Sequence, residues 1–284
     1  MDSKHTSLAQ VRMEIDAVDD ALHDLVMKRS QLVRQVIEAK GRGGFRLRPA
    51  REALILRRLV ERHRGDFPRA VVARMWREII AASTAQQGPF AVAVLGTPAA
   101  QGLGEVAREH YGVLTPIAQM GTTAGVVRAV SEGSASVGLL PWPTVDDRYP
   151  WWSLLAQEGA GVPRIVARLP FVQSSPPTVE ALAISLAPNE PTGADSSFLM
   201  LQCDGELSRG ALKDRLDAAG LKTSEVFTHP EKAEHSHLVH VAGYVDQEAP
   251  ALDQLLARDT GFVKVLSLGS YAVPLTAKDL DAPG

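Results

Sequence analysis

The sequence predicts a multidomain chain with three regions: an all-α helical bundle, an α/β segment and a ferredoxin-like α+β domain. The first prediction rests on residues 11–40, which contain neither Gly nor Pro and therefore favour one long helix. The second rests on short apolar runs that alternate with helical patterns after residue 90. The third rests on the order βαββαβ, which the pattern predicts for the last hundred or so residues. We place the regions at 1–89, 90–190 and 191–284.

One face of the long helix carries cations among apolar side chains. Steps of three and four residues along this face give a period of about 3.5, which is typical of a helix packed lengthwise against other helices. A cation on a packing face is costly unless an anion meets it or its charged head reaches water. Because there are three such cations, an anion-binding site is the preferred interpretation, and contact with water is the alternative. The face consists of Arg12, Ile15, Asp19, Leu22, Val26, Arg29, Val33, Val36 and Lys40.

The spacing of these cations predicts a dimer. At a helical rise of about 1.5 Å per residue, Arg12 and Arg29 lie about 25 Å apart, and Arg29 and Lys40 lie about 16 Å apart. Two long side chains reach one small ligand across the second gap but not across the first. We therefore expect an antiparallel two-fold homodimer in which Arg12 of one chain completes the site of the other.

Two shorter helices are predicted next, from Pro49 to about His63 and from about Pro68 to about Gln87, the second of them behind Asp66 as a cap. One long helix and two short ones enclose no core by themselves, which again favours a dimeric bundle. The third helix has a packing face that turns polar near its end. This face consists of Val72, Trp76, Ile79, Ser83 and Gln87.

Composition argues against several kinds of protein. Residues 1–90 hold 17 Lys and Arg against 11 Asp and Glu, whereas the remaining residues hold 13 against 22. A basic first region with few aromatic side chains suits an anionic small molecule better than nucleic acid. The single cysteine, Cys203, leaves no disulfide framework and no cysteine-based zinc site. No signal peptide or membrane-spanning apolar run is recognised, so we expect a cytoplasmic protein without nucleic acid or membrane partners.

Residues 8–90 resemble the all-helical chorismate mutase domain that opens bifunctional chorismate mutase–prephenate dehydratases. Arg48 departs from the family pattern, because close relatives often have an acidic residue there. The resemblance implies an intertwined homodimer that converts chorismate to prephenate. The positions that match the functional residues of the family are Arg12, Arg29, Lys40, Arg51, Glu52, Ser83 and Gln87.

The implied reaction is an intramolecular Claisen rearrangement, which needs neither a metal nor a cofactor. The protein has to hold a flexible dianion in its reactive conformer and stabilise the charge that develops on the breaking ether oxygen. Arginine suits the two carboxylates because its planar fork binds them bidentately. The resemblance implies Arg29, Lys40, Glu52 and Gln87 as catalytic residues. Its implied roles are carboxylate binding by Arg12 of the partner subunit, Arg29 and Ser83, hydrogen bonds to the ether oxygen from Lys40 and Gln87, and binding of the ring hydroxyl by Glu52 with Arg51 beside it.

The middle region is similar to the first half of a prephenate dehydratase domain. VLGTP matches the opening strand and turn of that domain, and VGLLPWP matches its strand entering the cleft. The Glu-Asn-Ser element of the family is replaced by Pro143-Thr144-Val145, and its Thr-Arg-Phe element aligns with Ser196-Ser197-Phe198. We therefore expect a shortened segment without the second lobe and without dehydratase activity. The tryptophans of this region are expected at the surface or at an interface, and the lining of a pocket is the alternative. They are Trp142, Trp151 and Trp152.

The final region resembles the regulatory ACT domain of the same enzymes through Gly210-Ala211-Leu212, which opens its first predicted helix. In that family the domain binds phenylalanine and lowers activity. The Glu-Ser-Arg-Pro element of the family is missing, and Thr228-His229-Pro230 stands near its place. Histidines follow in and around the next strand, where we expect exposed edge side chains rather than a metal site. They are His229, His235, His237 and His240.

Three functions remain open at this point. The first is a chorismate mutase whose other regions are structural or regulatory. The second is a bifunctional chorismate mutase–prephenate dehydratase, and the third is a non-catalytic protein that senses a ligand or acts as a scaffold. Consumption of chorismate separates the first from the third, and formation of phenylpyruvate separates the first from the second.

Overall fold

A computed structural model describes residues 7–40, 45–144, 150–205, 207–228, 235–257 and 261–281, without the side chains of Lys40, Ala99 and His235. The chain opens with the three predicted helices, α1 (Leu8–Lys40), α2 (Pro49–Arg62) and α3 (Arg69–Ala85). Pro49 lies in the first turn of α2, where a missing N–H costs nothing. Pro68, rather than the expected Asp66, is the N-cap residue of α3.

Strands and helices alternate through the middle region. They are β1 (Val92–Leu95), a 3₁₀ turn (Pro98–Ala100), α4 (Leu103–Tyr111), β2 (Ile117–Met120), α5 (Thr123–Ser131), β3 (Val137–Pro141), a 3₁₀ helix (Trp151–Leu155), β4 (Arg164–Leu169), β5 (Val172–Gln173) and β6 (Ala181–Ser185). Of these strands the sequence predicted only β1 and β3. The others are short runs, for which periodicity alone does not separate strand from helix or loop.

The last region has the predicted order βαββαβ. Its elements are β7 (Asp195–Cys203), α6 (Arg209–Ala218), β8 (Thr223–Thr228), β9 (His235–Ala242), α7 (Pro250–Leu255) and β10 (Phe262–Ala272), followed by β11 (Leu275–Thr276) and α8 (Ala277–Leu280). The four long strands are antiparallel and lie in the order β10-β7-β9-β8. The ferredoxin-like prediction is therefore confirmed, and the assignment to the ACT family stays a prediction.

One mixed sheet of nine strands runs through both regions, in the order β2-β1-β3-β6-β4-β10-β7-β9-β8. The two halves join where β4 and β10 pair in parallel at Ile165 and Gly269. Gly269 has a φ of +126°, and a Cβ at this position would lie 2.2 Å from the Ile165 carbonyl oxygen. Only glycine permits this backbone approach. The sheet thus crosses the boundary that the sequence suggested near residue 190.

The sheet is buried on both faces at β7. Leu199 and Leu201 belong to a core that includes side chains of α6 and α7. Phe198 and Met200 alternate with them and belong to a larger core that contains Leu56 of α2 and side chains of α3, α4 and α5. Successive side chains of a strand point to opposite faces, so β7 separates the two cores. Helices α2 and α3 therefore share their core with the sheet instead of forming a separate bundle within the chain.

Helix α1 has a different environment. Every residue from 7 to 28 is exposed, and contact with α3 begins at Arg29 and Ser30. An exposed apolar side of this length needs a partner surface in water. The exposed apolar side chains are Leu8, Val11, Met13, Ile15, Val18, Leu22, Leu25, Val26, Met27, Leu32 and Val36.

Two expectations about side chains are wrong. Trp151 and Trp152 are not at the surface but in the core, and Trp151 Nε1 donates a hydrogen bond to the Pro141 carbonyl oxygen over 3.0 Å. His237 and His240 are buried instead of exposed, because β9 is an inner strand of the long sheet. Within the described ranges, no group of three or more His, Cys, Asp or Glu residues is arranged to hold a metal ion. No helix there is long and apolar enough to cross a membrane.

Candidate active site

The centre of the candidate site is a contact between α1 and α3. Arg29 Nη1 donates a hydrogen bond to Ser83 Oγ over 2.5 Å, and Ser83 Oγ donates to the Ile79 carbonyl oxygen over 2.7 Å. The sequence analysis assigned Arg29 and Ser83 to carboxylate binding, and the fold brings them together from positions far apart in the chain. Ser83 lies at the polar end of the packing face of α3, and Arg29 of α1 contacts α3 at this point.

The end of α3 adds two amide side chains to this junction. Gln87 follows Ser83 by one turn, and its Nε2 donates to the Ser83 carbonyl oxygen over 3.3 Å. Gln86 Nε2 donates to Ser30 Oγ over 2.8 Å, and Ser30 Oγ donates to Gln86 Oε1 over 3.2 Å. Arg29, Ser83 and Gln87 therefore lie at the same junction of α1 and α3, and their roles in a site stay predictions. The second contact, between Ser30 and Gln86, was not foreseen and ties the same two helix turns together.

Arg29 is a half-buried cation without an anion. Among the described residues no carboxylate pairs with it, and burial alone lowers the pKa of its guanidinium. Lost hydration is the physical cause, because burial disfavours the charged form. An arginine nevertheless stays charged at neutral pH. A carboxylate ligand at this junction would supply the charge partner that the fold itself does not provide.

Two predicted residues of α1 do not join this group in a single chain. Arg12 is exposed, as is every residue of α1 up to position 28, and it lies about 25 Å along the helix from Arg29. Lys40 is the last residue of α1, and its side chain lies outside the described part of the structure.

Glu52 lies against the α/β region. Its side chain is 9% exposed, and Arg77 Nη1 of α3 donates to Glu52 Oε2 over 3.0 Å. Nε and Nη2 of Arg77 also donate to the His110 carbonyl oxygen at the end of α4, over 2.9 and 2.6 Å. Arg51 is exposed beside Glu52. The structure gives no contact between either residue and Arg29, so their implied roles at the ring hydroxyl stay predictions.

The groups around the buried ion pair are uncharged. Burial, and then the charge of Arg77, hold the pKa of His110 well below its usual value. Burial, and then the nearby Glu52, raise the pKa of Tyr111. Both effects keep these rings neutral near pH 7, because burial penalises the charged form. Glu52 and Arg77 are therefore the charged pair of this cluster.

Two other arginines of α2 attach this helix to the sheet. Arg48, where relatives often have an acidic residue, donates to both carboxylate oxygens of Glu190 over 3.2 and 2.6 Å. Arg57 donates to Thr192 Oγ1 and to the carbonyl oxygens of Ala194 and Val273, all within 2.8 Å. Arg48, which departs from the family pattern, thus pairs with Glu190 in the connection between β6 and β7. No local sequence pattern predicted this pair.

A second cluster, which the sequence analysis missed, surrounds Phe198 of the Ser196-Ser197-Phe198 element. The Phe198 ring lies 4.7 Å from that of His240 and 5.3 Å from that of Trp142. The Arg168 guanidinium lies 4.3 Å above Trp142 and pairs with Glu180 over 2.7 Å. Aromatic packing and an ion pair therefore occupy the surroundings of this element.

Hydrogen bonds fix the histidine of that cluster. Tyr271 Oη and His240 Nε2 are 2.7 Å apart, and Ser224 Oγ and His240 Nδ1 are also 2.7 Å apart. Burial, and then the charge of Arg168, lower the pKa of His240 to about 4. Burial is also the main cause that raises the pKa of Tyr271 to about 12. These residues come from strands that only the tertiary fold makes neighbours.

A comparison with protein families identifies the helical region. The family model for chorismate mutase type II matches residues 11–88. These residues form a chorismate mutase domain. The mutase domain contains α2, α3 and nearly all of α1, and it includes all seven site residues that the sequence predicted.

Curated relatives extend the similarity into the next region. The bifunctional chorismate mutase/prephenate dehydratase of Pseudomonas aeruginosa is 29% identical over 140 residues, which are 47% of this chain and 38% of the relative. The enzyme of the same name from Neisseria gonorrhoeae is 34% identical over 101 residues, 36% of this chain and 27% of the relative. The chain spans about two fifths of the length of the first relatives it matches.

Solved structures match the chain with low sequence identity. A protein described as GqqA, a novel type of quorum-quenching acylase, has a TM-score of 0.49 at 19% identity, over 66% of this chain and 96% of that one. Prephenate dehydratase from Streptococcus mutans has a TM-score of 0.46 at 16% identity, over 66% and 99%. Scores at this level support no conclusion about activity.

Proposed function

We propose that this chain is a chorismate mutase, an isomerase that converts chorismate to prephenate in the biosynthesis of phenylalanine and tyrosine. The observation that carries the proposal is the contact of Arg29 with Ser83 inside the mutase domain, where no carboxylate of the described residues pairs with this half-buried cation. Within the proposal, region 1–89 performs the chemistry. Regions 90–190 and 191–284 are structural or regulatory.

The proposed roles follow from the charge of the substrate. Chorismate is a dianion, and the reaction needs it held in one compact conformer while negative charge develops on the ether oxygen. Arg29 and Ser83 bind one carboxylate, and Arg12 of the partner subunit binds the other. Lys40 and Gln87 donate to the ether oxygen. Glu52 accepts a hydrogen bond from the ring hydroxyl, with Arg51 next to it.

The direct test is an assay with the purified full chain. Chorismate is added at neutral pH, and its ultraviolet absorbance is followed while prephenate is quantified by chromatography. We expect chorismate to disappear with one equivalent of prephenate formed. Saturable binding of chorismate without turnover would instead support a ligand-sensing or scaffold function.

A homodimer completes the proposed site. Residues 7–28 of α1 are exposed and present a long row of apolar side chains, which a second copy of α1 would cover. Antiparallel pairing brings Arg12 of one chain to the Arg29 end of the other, a distance that a single chain does not bridge. We also retain a cytoplasmic location as part of the proposal.

Mixing two inactive variants tests this arrangement. Arg12→Ala and Arg29→Ala homodimers should each be inactive. In a mixed dimer one pocket combines intact Arg29 of one chain with intact Arg12 of the other, so mixing under conditions of subunit exchange should restore activity. About half of the dimers are mixed and each has one good pocket of two, so recovery should approach roughly a quarter of wild type. Absence of recovery after exchange has been verified by mass spectrometry would contradict a site shared between chains.

A second candidate is a bifunctional chorismate mutase–prephenate dehydratase, which the names of the curated relatives favour. The Thr-Arg-Phe element argues against it, because Ser197 stands where that element has its arginine. The Ser197 side chain is buried, and its hydroxyl donates to the Gly243 carbonyl oxygen over 2.7 Å. We therefore expect prephenate to be the end product. Phenylpyruvate formed at neutral pH, above the spontaneous background without protein, would favour the bifunctional alternative.

Binding of an amino acid by the ACT-like region is a further proposal, which equilibrium dialysis with phenylalanine tests.

A further inference from the structure

The two oxygens of the Glu52 carboxylate differ in their surroundings. Oε2 accepts a hydrogen bond from Arg77 Nη1 over 3.0 Å, and the two side chains are 9% and 4% exposed. Oε1 accepts no hydrogen bond from any described residue, and it is not among the fully enclosed polar atoms that lack a partner. One oxygen is therefore held by the fold, and the other remains available to accept a hydrogen bond.

Arg77 is itself fixed from the side of the α/β region. Its Nε and Nη2 both donate to the carbonyl oxygen of His110, which lies in the last turn of α4. Carbonyl groups in the last turn of a helix have no partner within the helix, so a buried guanidinium is a suitable donor for them. Arg77 thus bridges the end of α4 and the carboxylate of α2 while belonging to α3.

We propose that Arg77 is a positioning residue of the mutase site. Anchored on the end of α4, it holds Glu52 Oε2 and so orients Oε1 toward the ring hydroxyl of the substrate. The inference rests on the proposed function and adds a residue that the sequence analysis did not single out. It also gives the α/β region a part in the mutase reaction, because α4 supplies the anchor. Arg77 acts through Glu52 and does not touch the substrate.

The charges around Glu52 set the consequence of losing Arg77. His110 and Tyr111 are neutral, as their shifted pKa values indicate, and Arg77 is the cation bonded to the carboxylate. Replacing Arg77 with Met keeps a similar length but leaves a buried carboxylate without its counter-ion. A buried charge that has lost its partner is strongly destabilising, so the Glu52 side chain would give up its fixed orientation. Arg77→Lys keeps the positive charge but loses the guanidinium group, which donates two hydrogen bonds to the His110 carbonyl oxygen.

The test compares kcat and KM for wild type, Arg77→Met, Arg77→Lys and the control Arg74→Met. Arg74 lies one turn earlier on α3, is 71% exposed and contacts Glu109 rather than Glu52. We expect Arg77→Met to lose at least about tenfold in kcat with a smaller change in KM, because Glu52 Oε1 would no longer be held in place to orient the bound substrate. Arg77→Lys should regain most of the activity, and Arg74→Met should match wild type. A wild-type kcat in Arg77→Met, or a change confined to KM, would overturn the inference.

A double-mutant cycle with Glu52→Gln separates positioning from general damage to the fold. If Arg77 acts through Glu52, adding Arg77→Met to Glu52→Gln should change kcat/KM little, although Arg77→Met alone lowers it. A further loss in the double variant as large as that of Arg77→Met alone would overturn the inference. The comparison of Glu52→Gln with the double variant can be made even if Arg77→Met alone proves too unstable to purify.

A last measurement does not depend on turnover. The ¹³C chemical shift of the Glu52 carboxyl carbon, assigned by its loss in Glu52→Gln, should change in Arg77→Met and stay as in wild type in Arg74→Met, because only Arg77 donates to this carboxylate among the described residues. If wild type does not convert chorismate, the proposed function fails, and this signal alone still decides whether Arg77 holds the Glu52 carboxylate. An unchanged signal in Arg77→Met would overturn that contact.

Discussion

Helix α1 and the pair α2 and α3 belong to one family domain, yet their apolar side chains lie in opposite environments. Leu22 of α1 is 51% exposed, whereas Leu56 of α2 is completely buried in the core that contains the sheet. Both helices have apolar faces with helical periodicity. The difference teaches that α2 and α3 find their partner surface in the same chain, while the partner surface that we propose for α1 is a second copy of the chain.

The largest expected effect is a loss of mutase activity when residues at the contact between α1 and α3 are replaced. Arg29→Ala and Gln87→Ala should each lower kcat/KM for chorismate by about 10²–10³, because each removes a preorganised donor to developing or bound negative charge. The initial rate of chorismate consumption measures the loss.

Arg34→Ala is the matched control for the α1 variant. Arg34 lies on the same helix, is exposed and has no predicted role in the site. Wild-type rates for Arg29→Ala, or an equal loss in Arg34→Ala, would contradict the assignment of the α1–α3 junction.

A pair of leucine substitutions compares the two environments themselves. Leu56→Ala should lower the free energy of unfolding by about 3 kcal/mol at every protein concentration, because it leaves a cavity in a core formed within one chain. Leu22→Ala should instead weaken dimerisation, and its loss of stability should grow on dilution. Urea unfolding at two protein concentrations, combined with sedimentation velocity, measures both effects. Equal dependence on concentration in the two variants would break the comparison.

The smallest expected effect is a pH dependence of the free energy of unfolding. We expect it from a histidine of the sheet and not from a histidine of α1. The pKa of His240 is about 4 in the folded protein, and an unfolded histidine titrates near 6.5. Between these values the unfolded state binds more protons than the folded state. Neutral His240 therefore contributes fully to the free energy of unfolding above pH 6.5, and this contribution is lost as the pH falls toward 4. The contribution is roughly 2–3 kcal/mol.

Urea unfolding at several pH values tests this window. His240→Phe should flatten the dependence of the unfolding free energy on pH between 4 and 6.5. His23→Gln is the control, because the His23 side chain on α1 is 70% exposed. A pH dependence that survives in His240→Phe would mean that other groups cause it.

Much of the candidate site was predictable, because its members lie on helices with strong local signals. The period of about 3.5 on α1 placed Arg12 and Arg29 on one face, and the polar end of the α3 face indicated Ser83 and Gln87. The partner of Glu52 was not predictable. Arg77 meets it only because α2, α3 and the end of α4 pack together, and no spacing along the chain encodes that meeting.

For the fold, the sequence by itself determined the three helices of the mutase domain and the βαββαβ order, since propensity and periodicity act within a few turns or strands. Tertiary structure decided the rest. It joined two regions into one nine-stranded sheet at Gly269, and it placed Trp151 and Trp152 in the core. Pairing of β4 with β10 depends on backbone contact between residues about a hundred positions apart. Packing between surfaces that are this far apart in the chain depends on the whole fold. Patterns within a few residues therefore do not predict it.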